Sequence, residues 1–577
     1  MKYLLIKKLK MKFNLKWCLG FVMVILINFS AIAQGTSVKK DLPKNWYLLD
    51  KQDDGFYGIS LKKAYDFVHS KNLKSKQVIV AVIDAGIDTA HEDLKNILWV
   101  NPKEIAGNGA DDDHNGYADD IHGWNFLGGK DGRNVDNDCG EDARVYYKYK
   151  STFDAPGFNA SSLTGDELDK YKMWSDAKKR IMGDGTDNAV DLVFLKRVLL
   201  TGQNSDSIIQ KEIGRPIYTG NELDTFQTRT FVAKRAKEAL LYLFKIDKEM
   251  DQTNKSFLDD FSEAVTSEEK KADAKQNAPA DMHKEIVKDN EDDINDRFYG
   301  NTDIMAGDPM HGTHVSGIIA AERNNGIGID GIADNVRIMM IRAVPNGDEH
   351  DKDIALSIRY AVDNGARVVN MSFGKHLSPN KKWIDDAVKY AESKNVLLVE
   401  AAGNDKENID SIPDYPNPTF KGTNIKATNW ITVGASSDPL AEQGYDSYVG
   451  SFSNYGKNSV DVFAPGVKIY STLPHNQYGN ESGTSMASPV VTGVAAFIME
   501  YYPNLSAQQI KYCIDKSAVA PFTKVKKPGS DNELVNLSDI SMSGGIINAY
   551  EAIKLASTLS KETKDTLPKS KMDNKKD

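Results

Sequence analysis

A serine surrounded by small residues stands directly before an apolar stretch late in the chain. Ser485 lies in the segment 483–489, and the apolar run 490–496 follows it. A helix beginning here would direct its free N–H groups and the positive end of its dipole toward an oxyanion forming near the serine. Ser485 is therefore a candidate nucleophile. The alternative is an ordinary helix N-cap, so this interpretation requires a base, an acid and an oxyanion donor.

Three upstream segments supply such groups. Asp84 ends the apolar run 78–83, which predicts a buried parallel strand, and functional groups gather at the carboxyl edge of such sheets. His311 begins a small-residue segment that predicts a second helix, and Asn404 follows another apolar strand. Taken singly, they also fit a turn aspartate, a core histidine and a strand-ending turn. Their occurrence together with Ser485 favours a catalytic set.

In chain order these groups run Asp84, His311, Ser485, and each motif resembles its counterpart in the subtilisin-like (subtilase) serine proteases. The resemblance implies that His311 takes the proton of Ser485 while Asp84 orients the imidazole. It also implies that Asn404 and the N–H of Ser485 hold the oxyanion. The chain is thus expected to be a serine endopeptidase that cleaves peptide bonds of proteins or peptides through an acyl-enzyme intermediate.

The resemblance also implies where a substrate binds. In this family an extended peptide pairs with the end of the strand within 366–374, and a second strand end completes the pocket. The expected walls are formed by Ser372, Phe373 and Gly374 on one side and by Ala401, Ala402 and Gly403 on the other. Glu400 departs from the family, where a small apolar residue is common. If its carboxylate faced the pocket, basic side chains would be preferred; if it faced inward, it would require a buried partner.

An acidic loop follows the first strand. Asp111, Asp113 and Asn115 match positions 1, 3 and 5 of a calcium-binding loop, but His122 replaces the glutamate of position 12. The loop predicts a structural Ca²⁺ site, and a solvated acidic turn is the alternative. The candidate ligands are Asp111, Asp113, Asn115, Asp119 and Asp120. No organic cofactor is expected.

The sequence between the aspartate and histidine motifs is much longer than a compact subtilase needs. Residues 130–300 are charged and carry apolar residues at helical spacing, which predicts an inserted, mainly helical subdomain. The stripes are Val190, Val193, Phe194 and Val198, and Ala236, Ala239, Leu240, Leu243 and Phe244. Four roles stay open for the insertion: restriction of access to the cleft, inhibition of the enzyme, binding of a partner, and passive decoration.

Apolar strands alternate with helical segments beyond His311, which predicts an α/β fold with a three-layer, doubly wound parallel sheet. We expect strands at 338–344, 368–372, 396–401 and 430–435. The resemblance assigns two segments, 78–129 and 301–557, to the catalytic domain. An N-terminal extension, 34–77, precedes them, and a charged, disordered tail, 558–577, follows.

The N-terminus has the features of an export signal. In residues 1–33, lysines precede the apolar run 17–27, and Ala31-Ile32-Ala33 fits a cleavage site. The run is shorter than the roughly 20 residues of a membrane span, which disfavours the alternative of a retained anchor. We therefore expect a periplasmic, cell-surface or extracellular protein without a stable membrane span after cleavage.

The net charge limits the kinds of partner that the protein can bind, and the cysteine count limits its disulfide bonds. A formal net charge of −10 disfavours nucleic acid and anionic membranes as partners. Cys139 and Cys513 are the cysteines left after cleavage, so at most one disulfide can form. The alternative to an active endopeptidase is a binding or regulatory protein of subtilase fold with a blocked or inactive site.

Overall fold

The computed structural model describes residues 42–183, 192–247, 250, 252–441, 448–530 and 532–566. The predicted signal segment, 1–33, lies outside the described residues. The chain divides into two compact units. The larger combines the described residues of 44–186 with those from 270 onward, and the smaller contains those of 187–269 together with residues 42 and 43.

Seven parallel strands form the central sheet of the larger unit, in the order β2-β3-β1-β4-β5-β6-β7. Their side chains are almost entirely buried, as expected for a parallel sheet covered by helices. This confirms the predicted α/β fold. The strands are β1 (Val78–Asp84), β2 (Gly123–Asn125), β3 (Val336–Arg342), β4 (Val368–Met371), β5 (Leu397–Ala401), β6 (Trp430–Ser436) and β7 (Val462–Pro465).

The four strands predicted beyond His311 coincide with β3 to β6. Two features were not expected from the sequence: β7, and an antiparallel hairpin of β8 (Ile469–Leu473) and β9 (Gln477–Glu481). A two-stranded ribbon of β10 (Val525–Lys526) and β11 (Leu534–Val535) completes the strands of the described residues.

The α-helices of the described residues are α1 (Leu61–Ser70), α2 (Glu141–Phe153), α3 (Gly165–Met182), α4 (Leu192–Ile213), α5 (Gly220–Thr225), α6 (Phe231–Asp247), α7 (Asn254–Ala274), α8 (Met310–Ala320), α9 (Asp351–Asp363), α10 (Lys381–Ser393), α11 (Thr484–Tyr501), α12 (Ala507–Ser517) and α13 (Ala549–Thr566). Helices α8 and α11 pack against each other, and α11 also lies along strands β4 to β7. The first turn of each helix carries a residue predicted to be catalytic, His311 in α8 and Ser485 in α11.

The inserted sequence is mainly helical, and its helices are divided between the two compact units. Helices α2 and α3 pack on each other within the larger unit around an aromatic cluster that includes Tyr146, Phe153 and Trp174. In the smaller unit, α4 packs on α6, whose buried face includes Leu240 and Phe244 as predicted. The predicted stripe of α4 is shifted: Val193 is 68% exposed and Leu195 is buried. Val190 lies outside the described residues.

The C-terminal helix is longer than the sequence predicted. Helix α13 continues to Thr566, so 558–566 is helical rather than disordered, and 567–577 lies outside the described residues. Its first turns are anchored by the buried residues Ala552, Ile553 and Ala556. Once such turns are formed, adding further helical residues costs little, and Lys and Glu are good helix formers.

Two further observations concern cysteines and membranes. Cys139 and Cys513 are both free thiols in the structure, so the optional disulfide is not formed. Among the described residues, none of the helices combines the length and apolar character needed to span a membrane.

Candidate active site

The predicted acid and base lie in direct contact. Strand β1 delivers the buried Asp84 at its carboxyl end, and its Oδ1 atom lies 2.8 Å from Nδ1 of His311. His311 occupies the first turn of α8 and is about one-third exposed. A Cβ atom on Gly312 would lie 2.1 Å from the carbonyl oxygen of Gly86, so glycine permits this close approach of helix and strand. With Nδ1 donating to the carboxylate, Nε2 of the neutral imidazole is left as a proton acceptor.

Ser485 lies in the first turn of α11 and contacts the predicted substrate strand. Its Oγ atom donates a hydrogen bond to the carbonyl oxygen of Ser372 at 3.2 Å. In return, the hydroxyl of Ser372 donates to the carbonyl oxygen of Ser485 at 3.0 Å. The serine is therefore held at the wall strand, on the helix that packs against the helix of His311.

A buried polar network fixes α11 to β4. Asn370 donates from Nδ2 to the hydroxyl of Ser372 at 2.9 Å. Its Oδ1 atom accepts hydrogen bonds from Ser488 at 3.0 Å and from Thr492 at 2.9 Å. Sequence reasoning did not single out Asn370, although an amide inside an otherwise apolar strand was the available signal. The network sets the position of Ser485 relative to the wall strand.

Asn404 lies beside the start of the same helix. Its Oδ1 atom accepts hydrogen bonds from the N–H of Thr484 at 2.9 Å and from its hydroxyl at 3.0 Å. The hydroxyl of Thr484 also accepts from the N–H of Gly403 at 3.1 Å. These bonds to Oδ1 fix the orientation of the amide group and leave Nδ2 as its donor atom. Thr484 is a second residue that sequence reasoning missed.

The two predicted pocket walls face a carboxylate that was not predicted. Of the first wall, Ser372 is buried, Phe373 packs partly on the core and Gly374 is exposed, whereas Ala401 and Ala402 of the second wall are buried. Oδ2 of Asp414 lies 3.2 Å from the position of a Cβ on Gly374 and 2.8 Å from that on Gly403. Burial, with the nearby Asp405 carboxylate, raises the pKa of Asp414 well above its usual value. Asp414 therefore lies between the walls.

Glu400 points inward rather than along the pocket wall. It is 3% exposed, and its Oε2 atom accepts hydrogen bonds from Nε1 of Trp430 and from the hydroxyl of Thr432, both at 3.1 Å. Burial, followed by the charge of Asp414, raises the pKa of Glu400 well above its usual value. The buried partners required by the second alternative are thus present.

The acidic loop brings together some of its predicted ligands. Oxygen atoms of Asp111 and Asp113 lie within 4.8 Å of each other and of Glu104, which was not predicted. The carboxylate of Asp119 instead accepts N–H groups of Gly107 and Gly109.

The other two predicted ligands, Asp120 and Asn115, form hydrogen bonds with other side chains of the protein. Asp120 is fully buried and accepts hydrogen bonds from Asn101 at 2.8 Å and from Tyr360 at 2.5 Å. Asn115 donates from Nδ2 to Asp120 at 3.1 Å. Burial raises the pKa of Asp120 to about 6. Glu104, Asp111 and Asp113 are therefore the oxygen donors that suit a hard cation such as Ca²⁺.

A parallel sheet with an aspartate–histidine contact at the end of one strand and a serine in the first turn of a helix packed on that sheet is an arrangement typical of serine peptidases of the α/β class. The Subtilase family model (peptidase S8) matches residues 75–536, and the chain belongs to that family.

Known proteases share parts of this sequence. The thermophilic serine proteinase of Bacillus sp. (strain AK1) is 45% identical over 196 residues, which cover 33% of this chain and 44% of the relative. Thermitase of Thermoactinomyces vulgaris is 34% identical over 275 residues, covering 46% and 85%. Subtilisin DY of Bacillus licheniformis is 36% identical over 210 residues, covering 36% and 70%. The chain thus matches less than half of the first relative and most of the other two.

Proposed function

We propose that this protein is an exported serine endopeptidase in which Asp84, His311 and Ser485 form the catalytic triad. His311 Nε2 takes the proton from Ser485 Oγ as that oxygen attacks the carbonyl carbon of a peptide bond. Asp84 holds the imidazole and stabilises the imidazolium that forms. His311 then protonates the leaving amine, and water hydrolyses the acyl-enzyme by the same route.

Nδ2 of Asn404 and the N–H of Ser485 would stabilise the oxyanion of the tetrahedral intermediate. The occupied Oδ1 atom of Asn404 supports this role, because the bonds from Thr484 fix the acceptor side of the amide and leave Nδ2 as its donor atom.

Substrate binding would also release the nucleophile. The hydroxyl of Ser485 donates to the carbonyl of Ser372, at the end of β4. An extended peptide that adds to this strand brings its own N–H donors to the strand's carbonyl groups. A peptide N–H bound to Ser372 would leave the serine hydroxyl free to rotate toward His311.

The observation that carries the proposal is the 2.8 Å contact between Asp84 Oδ1 and His311 Nδ1, on a helix packed against the helix of Ser485. The test is labelling by a fluorophosphonate probe, which reacts with activated serines. We expect labelling of the full chain and of an exposed-serine control, Ser411→Ala, and none of Ser485→Ala. Absence of labelling in the folded, calcium-supplied protein would refute the proposal and favour a binding or regulatory role.

Asp414 supports a preference for lysine or arginine before the scissile bond. Its carboxyl group lies between Gly374 and Gly403, and among the described residues no lysine, arginine or histidine forms an ion pair with it. A basic substrate side chain would supply the missing positive charge and hold the carboxyl ionised. This assigns to Asp414 the role that the sequence left open for Glu400.

A structural calcium ion is the second part of the proposal. Glu104, Asp111 and Asp113 present oxygen atoms within 4.8 Å of one another, which suits a hard cation. The ion would neutralise these carboxylates and stabilise the loop that precedes β2.

The N-terminal segment 1–33 and the net charge of −10 support export and a protein or peptide substrate rather than nucleic acid. The helical insertion, 130–300, leaves the chain between the segments of Asp84 and His311, and its candidate roles are control of access to the cleft, inhibition, binding of a partner and passive decoration.

A further inference from the structure

Two buried histidines lie side by side in the larger unit, apart from the catalytic residues. His283 is in a π-helical turn, His283–Val287, that follows α7, and His350 immediately precedes α9. Their ring centroids are 4.2 Å apart, and their side chains are 0% and 9% exposed. Four carboxylates surround them. We call the six residues the His283–His350 cluster: His283, His350, Asp138, Asp289, Glu291 and Asp353.

One nitrogen of each ring faces the carboxylate of Glu291. Oε1 of Glu291 lies 2.5 Å from Nδ1 of His350 and 3.3 Å from Nδ1 of His283. Oδ1 of Asp289 lies 3.1 Å from the same nitrogen of His283. Four tetrahedral ligands with bonds of 2.0–2.1 Å are about 3.3 Å from one another. Ligand atoms of His283, Asp289 and Glu291 all lie within 4.8 Å of one another, and His350 adjoins this group through its contact with Glu291. Side-chain shifts would bring the four atoms around one small cation.

The other nitrogen of each ring faces a second carboxylate. Nε2 of His350 lies 2.9 Å from Oδ2 of Asp138, and Nε2 of His283 lies 3.3 Å from Oδ2 of Asp353. Histidines that bind metals in proteins almost always direct their remaining N–H to a carboxylate, a carbonyl or water, which fixes the tautomer and the ring orientation. Both rings have this outer partner.

The charges of the cluster call for two more positive charges. Its four carboxylates meet two permanent cations: Lys352 lies 2.7 Å from Asp289, and Arg144 lies 3.7 Å from Asp138 while also pairing with Glu141 outside the cluster at 2.8 Å. With neutral imidazoles, two negative charges are uncompensated, and burying unpaired charge is costly. A divalent cation would balance them.

Protonation of both histidines would balance the charge as well, but it fits the geometry less well. It would place two imidazolium rings 4.2 Å apart, where like charges repel. As the structure stands, Oε1 of Glu291, Nε2 of His283 and Oδ2 of Asp353 are buried without a hydrogen bond of good geometry among the described residues, and a bound cation would engage Oε1 of Glu291 directly.

We propose that the cluster binds one divalent transition-metal ion, zinc being the best match, through Nδ1 of His283, Nδ1 of His350, Oε1 of Glu291 and Oδ1 of Asp289. Imidazole ligands suit zinc and disfavour calcium and magnesium, and four protein ligands make a closed, structural site. The ion fastens the segment 283–291 to the start of α9. This site is independent of the catalytic triad and of the acidic loop.

The test measures metal content and affinity in the full chain carrying Ser485→Ala, which avoids self-cleavage. After incubation with zinc and desalting, we expect about one equivalent of tightly bound metal, and calcium should not displace it. Replacement by cobalt should give the visible absorption of a tetrahedral Co²⁺ site. His350→Ala and Glu291→Gln should lose this metal, whereas His69→Ala, an exposed histidine on α1, should retain it.

Two variants keep the test decisive if His350→Ala does not fold. The side chain of Glu291 is 32% exposed, so Glu291→Gln should leave the fold intact, as circular dichroism will verify. Asp138→Asn should weaken zinc binding by about 10–100-fold, the usual cost of losing an outer partner. The proposal is overturned if the folded protein takes up no zinc, or if His283→Ala and Glu291→Gln bind it as tightly as the parent. The cluster would then be a network of protonated histidines.

Discussion

Asp414→Asn should remove a preference for basic residues before the cleaved bond. The substitution keeps the shape of the side chain and removes its charge, at a site between Gly374 and Gly403. At about 4 Å and an effective dielectric constant of about 20, an ion pair is worth about 4 kcal/mol before desolvation. Hydrogen bonds to charged groups retain about 1.5–3 kcal/mol net. We therefore expect the arginine-to-glutamine ratio of kcat/KM to fall roughly 10- to 150-fold, since about 1.4 kcal/mol is tenfold.

The assay uses two fluorogenic peptides that differ only in arginine or glutamine before the scissile bond. Asp386→Asn, at a half-exposed aspartate on α10, serves as the matched control and should leave the ratio unchanged. An unchanged ratio in Asp414→Asn, or a parent enzyme that cleaves the two peptides equally well, would refute the assignment of Asp414. Cleavage of neither peptide, together with absent probe labelling, would instead count against the peptidase itself.

Three further predictions concern the oxyanion, buried charge and calcium. Asn404→Asp keeps an acceptor for Thr484, so the fold should be retained, but it removes the Nδ2 donor. We expect kcat to fall by at least about 10²–10³-fold, the loss known for a single oxyanion donor in a subtilisin. The pKa of Glu400 is raised in the folded state, whereas in the unfolded chain this carboxyl loses its proton near pH 4.3. The contribution of Glu400 to the free energy of unfolding therefore falls as the pH rises above about 4.3. Glu400→Gln, in the Ser485→Ala background, should therefore raise Tm at about pH 8 and change it little at about pH 4; an equal change at both would contradict this reasoning. Chelation of calcium should lower Tm, by the equivalent of about 2.7 kcal/mol if the ion was present at 100 times its Kd. Asp111→Asn should abolish this response to the chelator. A Tm that does not change on chelation would argue for a solvated acidic turn.

Much of the sheet was predictable because buried parallel strands are continuous apolar runs. Strands β3 to β6 follow this rule, and so does β1 with Asp84 at its end. Strand β7 is only four residues long, and its last residue is a proline, so its pattern is weak. The β8–β9 hairpin contains polar residues and turns at His475 and Asn476, which both adopt positive φ. Such a hairpin carries little hydrophobic signal.

Some residues of the candidate site could likewise be predicted from the sequence around them, and others could not. Residues in motifs, such as His311 and Ser485, could be proposed from the few residues around them. Asp414 could not, because it enters the pocket only through the fold, from a loop between β5 and β6. The orientation of Glu400 likewise depended on Trp430 and Thr432, which reach it from the neighbouring strand β6.

The His283–His350 cluster depends even more on the fold, which brings its members together. Known metal motifs place two ligands within a few residues of each other on one helix or loop. Here three of the proposed ligands lie in one irregular segment, 283–291, and His350 comes from a segment separated from it by a helix and a strand. The cluster forms because β3 returns the chain to the sheet and α9 begins beside the segment that leaves the inserted helices. A scan for ligand spacing would therefore miss such a site, whereas unsatisfied buried atoms and unbalanced charge in the folded chain reveal it.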